Sequence, residues 1–186
     1  MALLTRRLFT VAEYWKMAVA GVLPEDDRVE LIEGEIVAMS PVGSRHAAHV
    51  ARAQAALHGV VGDRAIVWVQ NPIDLDDRSE PQPDVALLAP RPDFYEGRHP
   101  RPADVLLLLE VSDSAADYDR QVKLPLYVRA GIAEVWLIDL AEPGRIAAHR
   151  HPTAAGFTEV EQVGRGRWLT VPGLADVAVA VTEVVG

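Results

Sequence analysis

The seven residues Val105-Leu106-Leu107-Leu108-Leu109-Glu110-Val111 constrain this chain more than any other stretch. They do not alternate. Apolar side chains fall on both faces, as in a central strand covered on both sides. The exception is Glu110, placed where such a strand leaves the core. Burying an ionised acid is costly unless it is paired or bound to a metal. An ordinary strand-end acid facing water would read the same way, so Glu110 gains meaning only from its companions.

Two companions flank it. Pro83-Asp84 opens the strand Val85 to Leu88, upstream of the leucine run. Downstream, Asp113 and Ser114 suit a loop and a helix cap, and a helix is expected from about Ala116 to Ala130, stopping at Gly131. Asp119, Lys123 and Tyr127 are spaced i, i+4, i+8 and share one face of it. Pro125 should bend this helix or mark where its first turns differ from its last. An aspartate and a glutamate on neighbouring strands, with a lysine close by, make a plausible cation site. Two carboxylates suit magnesium or manganese, which prefer oxygen ligands and keep several waters. Such an ion lowers the pKa of bound water and polarises a phosphate oxygen. The lysine would orient the attacking water or neutralise charge developing on the phosphate.

The remaining elements follow in order. Thr10 and Glu13 form a capping-box pattern for a helix to about Ala20, which should bury Val11, Tyr14, Trp15 and Ala18. Val29 to Ser40 reads as a hairpin turning at Glu33-Gly34. It carries Glu30, Glu33 and Glu35, of which one is expected to border the cleft. Glu30 is preferred, because Glu33 and Glu35 flank the tip. Ser44 is expected to cap a helix from Arg45 to Val61, with His46, Val50, Ala53, Leu57 and Val60 along one face. His46, at the first turn of that stripe, points toward the sheet edge. Ala65 to Gln70 is a strand, continued past Pro72 by Ile73 to Leu75. Residues Ala89 to Asp104 form a long surface loop whose Arg91, Arg98 and Arg101 serve either binding or solubility. Strands at Glu134 to Leu140, Arg145 to His151, Phe157 to Val163 and Trp168 to Val171 precede an apolar tail, Val177 to Val185, expected to dock on the sheet.

With 186 residues, 49% of them hydrophobic, the chain has room for one domain with a real core. No apolar run is long enough for a membrane span, and the short start Met1 to Leu4 before Arg6 and Arg7 does not read as a signal peptide. There is no cysteine, so neither a disulfide nor a thiolate metal site is available, and the cytoplasm is the default compartment. A net charge of −9 argues against a protein that coats nucleic acid, but not against an enzyme gathering acids around a metal ion.

Taken in order, Glu30-Leu31-Ile32-Glu33-Gly34-Glu35, Ser40-Pro41 with His46, Pro83-Asp84, Leu109-Glu110-Val111-Ser112-Asp113-Ser114, Tyr118-Asp119, Lys123-Leu124-Pro125-Leu126-Tyr127, Gly131 and Glu134-Val135-Trp136-Leu137-Ile138-Asp139 resemble the Uma2 family. The resemblance runs from Thr10 to about Pro172. It implies a restriction-endonuclease-like PD-(D/E)xK fold, of mixed α+β or α/β class: a central mixed β-sheet flanked by helices, in the order helix, three strands, helix, strand, here preceded by an N-terminal helix and hairpin. The whole chain, 1–186, would be one such nuclease domain. The resemblance further implies an endonuclease hydrolysing phosphodiester bonds, with DNA as partner, Mg2+ or Mn2+ as cofactor, Asp84 and Glu110 as metal ligands, and an arrangement that admits a homodimer. The fold's usual lysine, two residues after the acid, is Ser112 here. Lys123 is the candidate substitute, with Asp119 and Tyr127 either holding it or packing beside it. Ala115 lacks a hydroxyl that relatives often show. An acid sometimes found on the fold's first helix is missing, and His46 is its candidate stand-in.

Two functions remain open at this point. One is a metal-dependent endonuclease in which Asp84, Glu110 and Lys123 are catalytic and Glu30, His46, Asp119 and Tyr127 line the cleft. The other is a catalytically degenerate member of the fold, acting as a binding or assembly module. Ser112 and the acidic charge favour the second; the joint presence of Asp84, Glu110 and Lys123 favours the first.

Overall fold

The computed structural model describes residues 6–24, 26–113 and 118–186. The expected cap at Ser114, the Ala115 position and the helix start at Ala116 lie outside these residues, as do Glu25 and the start Met1 to Leu4.

The capping box at Thr10 forms as the sequence predicts. Its hydroxyl accepts from Glu13 N–H, and the Glu13 carboxylate accepts from Thr10 N–H, starting α1 (Val11–Val19). Tyr14 is buried, but Trp15 is not the core residue its spacing predicts. It is 40% exposed, and its indole N–H donates to Glu80 at 2.9 Å. The polar handle of the ring decides the outcome: its N–H reaches the buried Glu80 carboxylate while the ring stays part-exposed. β1 (Val29–Ile32) and β2 (Glu35–Ala38) make the predicted hairpin, with Glu33 and Gly34 both at positive φ in the turn.

Helix α2 (Ser44–Val61) buries Val50, Ala53, Leu57 and Val61. Its cap is Gly43, not Ser44, which is already the first helical residue; no side chain caps this terminus. After it come β3 (Ile66–Val69), β4 (Val85–Leu88), β5 (Val105–Ser112), a π-helical turn over Asp119–Lys123, α3 (Leu124–Arg129) and β6 (Glu134–Asp139). The chain ends in β7 (Arg145–Thr153), β8 (Gly156–Gly164), β9 (Trp168–Val171), β10 (Leu174–Ala180) and α4 (Val181–Val185). Strands β3 to β8 lie in sequence order in one six-stranded sheet, antiparallel throughout except for the parallel pair β5–β6. Ile73 to Leu75 does not extend β3. It pairs instead with 79–81, outside the sheet, through Ile73 N–H to Pro81 O and Leu75 N–H to Ser79 O. Pro72 supplies no donor to prolong the ladder.

The apolar run of β5 sits third of six and is covered on both sides. Leu107, Leu109 and Val111 join one apolar layer with α2, β9, β10 and α4. Leu108 joins the other with Ala86, Leu88, Leu124, Leu126, Tyr127, Val135 and Leu137. Each fully buried leucine contributes about 1.5–3 kcal/mol relative to exposure, which holds this strand in the interior of the sheet. Glu110 has nowhere to turn but along the second layer's edge. Among the described residues no helix is long and apolar enough to cross a membrane.

Candidate active site

β4 and β5 pair Val85 with Leu109. One step further along the ladder, Asp84 stands opposite Glu110, and Asp84 N–H approaches Glu110 Oε2 at 3.3 Å. Opposed residues of an antiparallel pair point to the same face, so both carboxylates reach one sheet edge. Asp84 Oδ2 accepts from Val111 N–H at 2.8 Å and from His46 Nε2 at 2.9 Å. Its other oxygen receives Gln70 Nε2 at 3.3 Å. His46 therefore turns from the start of α2 into the cleft. The Asp84 bond raises its pKa, overcoming the effect of burial.

Glu110 is 2% exposed. Tyr127 donates its hydroxyl to Oε1 at 2.5 Å, and the Lys123 ammonium lies 3.4 Å from the same oxygen. Burial nevertheless pushes the Glu110 carboxyl up to about 8 against the pull of Lys123, with Asp84 and Asp119 adding repulsion. Burial also disfavours charge on Lys123, but Glu110, Glu30, Asp119 and Asp84 outweigh it and hold the ammonium protonated.

The third carboxylate is Glu30. Its Oε2 lies 3.7 Å from Lys123 and accepts from Gln82 N–H at 3.0 Å, while Oε1 accepts from the Tyr118 hydroxyl at 3.1 Å. Glu33 and Glu35 point elsewhere, to Arg129 and Arg6. Asp119 is buried and accepts from the Ser112 hydroxyl. The serine at the usual lysine position thus anchors the helix that carries Lys123. The π turn helps aim it. Leu124 N–H reaches back five residues to Asp119 O, just before Pro125, which has no N–H to continue a regular ladder.

These groups open on a cavity of about 480 Å³. One wall is the hairpin and the segment after it, from Val37 to Gly43. Arg28, Gln70, Gln82 and Tyr118 also line it, and the reading of motifs did not single these out as site residues. Gln82 had a legible signal, since it shares strand parity with Asp84. Tyr118 stands in the Tyr118-Asp119 motif, but its partner Glu30, 88 residues away, was not legible from it. The three loop arginines are not a free basic patch: Arg91 pairs with Asp93, Arg98 with Asp104 and Arg101 with Asp74. As oxygen donors for a cation the cleft offers Asp84 and Glu110. No group of three or more His, Asp or Glu among the described residues is gathered tightly enough to hold a metal by itself.

The fold is thus a mixed six-stranded sheet with Asp84, Glu110 and Lys123 brought together at one end. The crystal structure of a putative nuclease belonging to DUF820 from Anabaena variabilis ATCC 29413 has the same fold. It superposes with a TM-score of 0.70 at 19% identity, covering 95% of this chain and 97% of that one. The model of the Uma2 family, described as "Putative restriction endonuclease", matches residues 11–182. The chain belongs to the Uma2 family. No curated protein matches it.

Proposed function

We propose that the protein is a metal-dependent endonuclease that hydrolyses phosphodiester bonds in DNA at the Asp84–Glu110 cleft. The observation that supports this best is the convergence of Asp84 and Glu110 from opposed strand positions, with Lys123 3.4 Å from Glu110, on one cavity. The donor set fits Mg2+ or Mn2+: two carboxylates, with water and substrate oxygens completing the shell. Glu110 supports the fit, since a cation held by Glu110 and Asp84 would offset the burial that disfavours its charged form.

When bound, such an ion supplies an activated water and a polarised phosphate oxygen. The chain supplies the rest. Lys123, fixed between Glu30 and Glu110, holds a positive charge beside the reacting phosphate. Tyr127 anchors one oxygen of Glu110, and Val111 N–H with His46 fixes one oxygen of Asp84. The uncapped start of α2, whose Gly43 lines the cavity, turns a positive dipole end toward the anionic substrate. Nuclease assays on DNA with Mg2+, Mn2+ or chelator test this, with Asp84→Asn as the control for contaminating enzyme. A second reading, a non-catalytic binding module, draws on Ser112 and the net charge of −9. It expects no metal-dependent cleavage in any arm.

A further inference from the structure

The cavity over Asp84 and Glu110 is small, and Glu30, Asp84, Glu110, Asp113 and Asp119 outnumber the cationic side chains that line it. A cavity of about 480 Å³ lies within the range of pockets that enclose a single small molecule, roughly 300–1,000 Å³. That is room for a nucleotide or two. The groups that would act on the phosphate are deep, with Glu110 2% and Lys123 6% exposed, so the phosphate must enter rather than lie across the mouth. A duplex-binding protein commonly neutralises about 6–10 phosphates. The cationic side chains lining this cleft are Arg28, His46 and Lys123, and Lys123 is already shared by two carboxylates. The arginines of the 89–104 loop add nothing to it: that loop joins the opposite ends of β4 and β5, and its arginines pair with aspartates.

The hairpin wall, where Val37 is the strand partner of Glu30, has a different character. Val37, Met39, Pro41 and Val42 line it, and Val42 is 40% exposed. Paired bases hide their faces in the stack, whereas an unpaired base presents a flat apolar face that packs against side chains. Building on the nuclease reading, we propose that the substrate is an unpaired DNA strand, as an end, a flap or a loop. One base rests on the Val37–Val42 wall while the adjoining phosphate reaches Asp84 and Glu110.

Binding and cleavage are measured separately with the wild-type protein. A labelled 30-nucleotide oligo-dT and a blunt duplex of equal length serve as probes, by anisotropy in Ca2+ and by cleavage in Mn2+ with a chelator blank. The single strand should bind and be cut at least about tenfold better. Val42→Glu should weaken oligo-dT binding about tenfold, and the uncharged Val42→Gln should weaken it too, which separates lost apolar contact from charge repulsion. A duplex bound and cut as well as the single strand would overturn the inference and leave the nuclease reading standing. No cleavage of either probe would overturn the nuclease reading, and the anisotropy preference would then decide the inference alone. Unchanged oligo-dT affinity in Val42→Glu would remove the apolar wall from the account.

Discussion

Two glutamates on neighbouring central strands, Glu110 on β5 and Glu134 on β6, have the same kinds of partner and opposite fates. Each accepts a hydrogen bond from an aromatic donor, Tyr127 in one case and Trp136 in the other. Each stands beside a cation surrounded by acids. Arg150 sits 3.0 Å from Glu134, 3.1 Å from Glu159 and 2.8 Å from Glu161, in a half-exposed cluster whose distances are those of closed, charge-assisted bonds. Lys123 lies 3.4–3.7 Å from its two acids, almost wholly buried, with the Glu110 carboxyl pushed up to about 8. A guanidinium fork spreads its donors over several acids and completes them. A single ammonium beneath three carboxylates leaves an excess of buried acid. The first cluster fastens a hairpin of the sheet. The second leaves buried acid unbalanced inside a cleft, the setting in which the proposed metal site would find its ligands.

Breaking the buried cluster should be costly to activity, and breaking the other should not. Asp84→Asn keeps the shape and the acceptor for Val111 N–H but removes charge and a ligand. Cleavage rate should fall about 10³-fold or more while the circular dichroism spectrum is unchanged. Lys123→Ala should lower the single-turnover rate by about 10²-fold. Glu110→Gln sharpens the contrast through stability. Because the folded Glu110 titrates near 8 and the free acid near 4.5, the folded state holds a proton the unfolded state has lost between those values. In chelator, wild-type melting temperature should therefore decline as pH rises from about 4.5 to 8, and the glutamine variant should lose part of that decline. Equal slopes would show that the carboxyl is ionised at little cost. Arg150→Ala should leave cleavage within about twofold and lower the melting temperature by a few degrees, as partly exposed ion pairs of about 0.2–1 kcal/mol each do.

The frame of the fold was legible because it rests on local patterns. The two-faced leucine run marked the central strand, the Glu33-Gly34 turn marked the hairpin, and Thr10 with Glu13 marked the first helix. The placement of Asp84 and Glu110 followed from those strands. What escaped depends on contacts between distant residues. Nothing local tells that Trp15 finds Glu80, 65 residues on, or that Tyr118 finds Glu30. Among the loop arginines, Arg101 finds Asp74 27 residues away, whereas Arg91 and Arg98 pair within the loop with Asp93 and Asp104, acids that could have been read beside them. Ser112 read as a loss, although its hydroxyl is what joins β5 to the helix bearing Lys123. Glu30 could be preferred over Glu33 and Glu35 by its distance from the hairpin tip. Its bond to Gln82 required the fold.

The most direct test is a calorimetric titration of Mn2+ into the chelator-stripped protein and its variants. The two-carboxylate account expects one ion per chain in the wild type. It expects retained binding in Lys123→Ala and an affinity lowered at least about tenfold in Asp84→Asn. A wild type that takes up no ion, or that binds Mn2+ no better than Asp84→Asn, would contradict it.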